Sequence, residues 1–363
     1  GGVAGSDGAI YGIPSHARSV LRIAPSTGEV SRLGGPFPGR FKWLRGVVAD
    51  DGAIYGIPAH AESVLKIVPE TGEVMTFGGP FPGQWKWHGG VLGEDGNIYG
   101  IPANAQAVLK IMPSTMEATT IGGPLPGGSK WYGGICGLDG AIYGVPYTAD
   151  AVLRIEPRTG EVSTLGRLPP GEWKWHGGAR AADGCIYGIP AHGDSVLKIV
   201  PHTGEVETIG GPFEGKYKWL GAVVGGDGAV YCIPCDHDRV LRIAPFTGET
   251  SLIGPRLVGH NKWQGGVLGS DGAIYGIPLG AKSVLKIMPE TREVTTVGGP
   301  LRGNHKWQGG VLGSDGAIYG IPLRAKSVLK IIPGEEISVP WVAGNHAGSV
   351  NTAPEEPVPA GRC

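Results

Sequence analysis

The chain has 363 residues, of which 67 are Gly and 31 Pro, and 41% of it is apolar, against about 7% Gly and 5% Pro in an ordinary protein. Its 31 basic and 32 acidic side chains leave a formal charge of −1, so no cationic surplus exists to displace counterions from a phosphate backbone, and nucleic acid is not an expected partner. Gly, Pro or a charge interrupts every apolar run long before the roughly 20 residues that a bilayer-spanning helix needs, which points to a soluble chain that does not span a membrane.

Along the chain, one segment recurs from the first residues onward. The Asp-Gly of DGAIYGIP stands at Asp7, Asp51, Asp95, Asp139, Asp183, Asp227, Asp271 and Asp315, each step being 44 residues with no insertion or deletion. Within the unit 43–86, four short apolar runs are bounded by Gly, Pro or Asp: Gly46–Ala49, Ala53–Pro58, Ser63–Val68 and Glu73–Phe77. They have strand length and are too short for helices. Asp-Gly between the first two predicts a tight hairpin with a type I′ turn, positive φ at both central residues. Pro-x-Thr-Gly between the third and fourth predicts a second turn, with Pro presetting φ and Gly taking a left-handed conformation.

Four antiparallel strands per unit, repeated at this period, predict an all-β chain folded as a β-propeller. Eight copies predict eight four-stranded blades over residues 1–339, closed by packing of blade 8 on blade 1. A seven-bladed ring with one surplus unit is the alternative. The eighth unit is expected to take its fourth strand from Glu336–Val339, out of register with earlier copies, and residues 340–363 lose the repeat and read as a Pro- and Ala-rich tail. Taken together, DGAIYGIP, SVLKI, P-x-TGEV and KW-x-GG resemble the tandem propeller repeats of the streptogramin (virginiamycin B) lyase type, and also large sets of uncharacterised repeat proteins of dinoflagellates and other microalgae. The resemblance implies the propeller fold.

In a propeller, the connections between blades and the loops from strand two to strand three share one face, where ligands are expected. On that face the KW element supplies Lys42-Trp43, Lys86-Trp87, Lys130-Trp131, Lys174-Trp175, Lys218-Trp219, Lys262-Trp263 and Lys306-Trp307. Two readings apply: each indole is a wedge between blades, or each pair is a ligand site in which the indole stacks on a ring and the ammonium holds a polar group. The residue after each Trp varies (Leu44, His88, Tyr132, His176, Leu220, Gln264, Gln308), as does the second residue after YGIP (His16, His60, Asn104, Thr148, His192, Asp236, Gly280, Arg324). This is the pattern of a specialised surface and equally of drift at solvent-facing sites. His60 with His88, and His176 with His192, are candidates to approach one another and to bind a metal or titrate near neutrality.

Blade 6 departs most, with Cys232, Cys235, Asp236, His237 and Asp238 within seven residues; Cys232, Cys235 and His237 form only a weak metal candidate, since a closed zinc site needs four ligands. The basic residue of strand three and the Glu opening strand four, such as Lys66 and Glu73, are expected to form cross-strand ion pairs. Near-identical units lack the single asymmetric constellation that a catalyst requires and suit multivalent contact. The expected function is a non-catalytic binding or scaffold protein whose Lys-Trp face takes a protein partner, a carbohydrate or a small molecule, without cofactor. The alternative is a metal-dependent lyase- or lactonase-like enzyme with one site at the channel mouth.

Overall fold

In a computed structural model that describes residues 1–334, the chain is an eight-bladed β-propeller, and no helix occurs among these residues. Each blade is a meander in which consecutive strands pair antiparallel. Blade 2 is representative, with strands Trp43–Val48, Ile54–Pro58, Val64–Val68 and Glu73–Phe77 counted outward from the axis. The described part of blade 8 comprises Trp307–Leu312, Ile318–Pro322 and Leu329–Ile331. The expected strand at Glu336–Val339 and the expected tail lie outside the described residues.

The core lies between blades. Second strands carry wholly buried runs such as Ile54–Pro58, third strands such as Val64–Val68 are mostly buried, and both pack their apolar faces on the next blade: Tyr55, Ile57 and Val64 meet Trp87, Ile98 and Leu109. Closure uses the same contacts, with Ile10 and Ile23 of blade 1 packed on Tyr319, Ile321 and Val328 of blade 8. Innermost strands crowd together through glycine. A Cβ on Gly90 would come within 2.7 Å of Ile57 and 3.3 Å of Val47, so only a residue without a side chain admits the neighbouring blade.

Two local expectations are corrected. In the Asp-Gly hairpins only the glycine has positive φ, +76° at Gly52, while Gly52 N–H donates to Ala49 O at 3.0 Å. The turn is therefore the three-residue kind, a type I turn completed by a left-handed Gly. Asp51 serves it by accepting from Ala53 N–H at 3.0 Å and from the Tyr55 hydroxyl at 2.8 Å. The basic residues of strand three do not pair with the Glu that opens strand four, although Lys198 pairs across to Glu207 within strand four at 2.9 Å. Register sets Lys66 opposite Tyr55 and Met75, with Glu73 opposite Val68 at the ladder's end. Lys66 thus reaches Asp51 at 3.2 Å, as Arg22 reaches Asp7 and Lys330 reaches Asp315.

Candidate functional site

Each innermost strand begins with Lys-Trp, and both side chains are consumed in assembling one face. The indoles are at most 4% exposed and the lysines at most 5%. Trp131 packs on Tyr99, Ile101 and Val108 of the preceding blade, and its Nε1 donates to Ala151 O at 2.9 Å in its own blade. The Lys130 ammonium donates to Ala103 O and Ala105 O, both at 2.8 Å in the preceding blade, and to Gly127 O at 3.0 Å in the connector. Lys42 and Lys262 repeat this three-carbonyl grip. Burial lowers Lys86, Lys130 and Lys218 to about 8, so they remain mostly charged at neutral pH. The seven Lys-Trp pairs therefore lie beneath the face and not on it. Lys86, Lys174 and Lys218 hold two carbonyls each, and with the indoles wedged between blades the pairs have little surface to offer a ligand.

What the frame displays is the residue before each Lys. Phe41, Trp85, Ser129, Trp173, Tyr217, Asn261 and His305 all have positive φ, from 48° to 55°, a conformation that costs a residue other than Gly about 1–2 kcal/mol. Their carbonyls are held by the loop between strands two and three: His60 N–H donates to Phe41 O at 3.0 Å and His192 N–H to Trp173 O at 3.0 Å. The residues before each Lys and the second residues after YGIP therefore alternate around the face. The first arc is His16, Phe41, His60 and Trp85, with centroid separations of 4.3 Å (His16–Phe41), 4.7 Å (Phe41–Trp85) and 4.8 Å (His60–Trp85). The second is Trp173, His192 and Tyr217, at 5.3 Å (Trp173–His192) and 4.5 Å (His192–Tyr217), backed by the buried Tyr147 at 5.7 Å from Trp173. A polar gap divides them, where Ser129 N–H donates to Asn104 Oδ1 at 2.8 Å and the Thr148 hydroxyl to Gly128 O at 2.7 Å. The residues before Lys were not singled out from the sequence, although four of the seven are aromatic in an otherwise Gly- and Pro-rich connector.

Nearer the axis, the residue after each Trp lines the mouth. His88 stacks on Tyr132 at 3.6 Å, and Tyr132 lies 4.0 Å from His176. Neither expected histidine pairing forms this way: His60 and His192 belong to the outer arcs, while His88 and His176 sandwich Tyr132. Both axial imidazoles are buried, and His88 Nδ1 and His176 Nε2 have no hydrogen-bond partner. Burial holds His88 well below its ordinary range and His176 down to about 3, and the Arg45 guanidinium reinforces both shifts. The weak metal candidates are not brought together. Cys232 packs in the core with Trp219, Cys235 lies in another cluster with Leu220, and His237 Nδ1 accepts from Arg239 N–H at 3.1 Å. Among the described residues no three His, Cys, Asp or Glu side chains form a group that could hold a metal ion.

Fold and face together define a tandem-repeat β-propeller of eight near-identical blades. Residues 45–181 match a family model described as a repeat of unknown function, DUF6923. Among solved structures, the chain is similar in fold to a streptogramin B lyase (18% identity, TM-score 0.61, covering 77% of this chain and 89% of that one). It is likewise similar to virginiamycin B lyase from Staphylococcus aureus (15%, 0.60, covering 76% and 90%) and to a periplasmic gluconolactonase from Pseudomonas aeruginosa (14%, 0.57, covering 79% and 92%). No curated protein sequence matches it.

Proposed function

We propose that the protein is a non-catalytic binding propeller that takes saccharides on the two aromatic arcs of its connector face. One observation carries this reading: the positions that vary between otherwise copied blades meet on one face, where aromatic residues held at positive φ stack with loop histidines. Backbone strain of this kind persists where the surroundings over-determine it, and it concentrates at binding sites. Indole and phenol rings present flat apolar faces and polar edges, as a sugar ring does. Two separate arcs give two sites, and linking them through one rigid ring raises avidity for a multivalent ligand. Calorimetry with neutral oligosaccharides selected from a glycan array tests it. Trp85→Ala and Trp173→Ala should each remove one of two sites, and the double variant both; binding unchanged in all three would refute the reading.

The axial mouth favours a second reading, a lyase- or lactonase-like enzyme, because His88, Tyr132 and His176 form the asymmetric cluster that the arcs lack. Its metal-dependent form has no ligand set among the described residues. Turnover of a cyclic ester abolished by His176→Gln and untouched by Trp173→Ala would favour it over the binding propeller.

A further inference from the structure

One side chain at the mouth belongs to neither the frame nor the arcs. Two residues after Trp, six blades carry glycine at positive φ, Gly89, Gly133, Gly177, Gly221, Gly265 and Gly309, from 68° to 107°, whereas blade 2 carries Arg45, which is not at positive φ. The strand pairing is the same, skipping from Trp43–Pro58 to Gly46–Gly56 as its counterparts do. Blade 2 has therefore kept its bulge and added a guanidinium. The space at this height is open at three of the equivalent glycines, where a Cβ on Gly133, Gly177 or Gly309 would meet nothing within 4 Å, and closed in by the next blade's glycine Cα at Gly89, Gly221 and Gly265, at 3.2–3.4 Å; a Cβ on Gly89 would also lie 3.7 Å from Arg45 Cδ. Arg45 is exposed and, among the described residues, forms no ion pair. The Arg45 stem lies against Gly89, the residue after His88, and the field of its guanidinium reaches both His88 and His176, whose rings flank Tyr132 and each keep an unpartnered, buried ring nitrogen.

We propose that the axial mouth is a site for the carboxylate of a small organic acid, with Arg45 as its counter-charge and the His88–Tyr132–His176 stack as its wall. The charge balance selects the ligand. Arg45 is the single full positive charge contributed by these four side chains, and a planar guanidinium meets a carboxylate through two parallel hydrogen bonds. A phosphate dianion would leave one negative charge against neutral rings, which a partly desolvated site penalises. The stacked wall suits an acid that carries its carboxylate on a flat ring. None of these residues belongs to the two arcs, and the two regions touch at Tyr147, which lies 5.2 Å from Tyr132 and 6.2 Å from His176.

Benzoate, its uncharged isostere benzamide and inorganic phosphate are the probes, titrated into the full chain while the side-chain nitrogen resonances of His88 and His176 are followed by NMR. Benzoate should shift both and bind at least tenfold tighter than benzamide or phosphate. Arg45→Gly, which restores the residue of six other blades, should abolish that preference without changing the unfolding transition, and Arg45→Gln should do the same should the glycine variant fail to fold. Trp173→Ala should leave benzoate binding intact. A preference below tenfold, one that survives both Arg45 variants, or phosphate binding as tightly as benzoate overturns the proposal.

Discussion

Lys130 shows how a charged residue becomes part of a frame. Its ammonium ties the connector to the loop of the preceding blade through three carbonyls, so Lys130→Met keeps the stem but strands acceptors in a buried place. Unsatisfied buried groups cost about 1–3 kcal/mol each, and Ala103 O retains a second donor in Lys130 N–H; urea unfolding should show a net loss of about 2–4 kcal/mol. The axial histidines set the response to acid. Because His176 is lowered to about 3 and His88 well below 6.5, the unfolded chain binds more protons than the folded one once pH falls below about 6.5. Stability is therefore complete above that value and declines on acidification, by up to about 1.4 kcal/mol per pH unit for each histidine. His176→Gln should make the decline between pH 6 and pH 4 shallower by up to about 1.4 kcal/mol per pH unit, as measured by denaturant midpoints at each pH, the remaining slope being carried by His88 and by the other lowered histidines, His60, His192, His237 and His305.

At the scale of the strand, two tryptophans two residues apart perform opposite tasks. Trp175 starts an innermost strand, buried against Tyr143, Val145 and Val152 of the preceding blade, whereas Trp173 sits on the face above it, partly exposed. Trp175→Ala should cost about 3–5 kcal/mol, the range for deleting a core aromatic. Trp173→Ala should cost less than Trp175→Ala, because Trp173 keeps part of its ring in solvent, yet it should abolish one saccharide site. Thermal melts paired with calorimetry separate the two. The repeat made the strands legible: a 44-residue step and runs such as Ile54–Pro58 give length, order and face. Register was less legible, since the choice of Lys66 for Asp51 over Glu73 depends on which residues end opposite one another after the turn. The face was legible by position but not by occupant. The sequence shows WKW and FKW, and only the positive φ of the first residue reveals that it is displayed while the second Trp is wedged.

At the scale of the molecule, the decisive contact joins the two ends of the described chain. In an open repeat array each unit touches only its sequence neighbours, so terminal units unfold locally and early. Here blade 1 also packs on blade 8: Ile10 and Ile23 share a cluster with Tyr319 and Ile321, and the Ser314 hydroxyl donates to Gly8 O at 3.2 Å. Among the described residues this seam is built of the same apolar contacts as the interfaces inside the ring. Ile10 and Ile98 occupy equivalent places, both fully buried. Ile10→Ala and Ile98→Ala should therefore each cost about 2–5 kcal/mol and give one cooperative unfolding transition monitored by both Trp fluorescence and far-ultraviolet circular dichroism. A separate early transition in Ile10→Ala alone would show that the ring opens at the blade 1–blade 8 seam before the rest of the molecule unfolds.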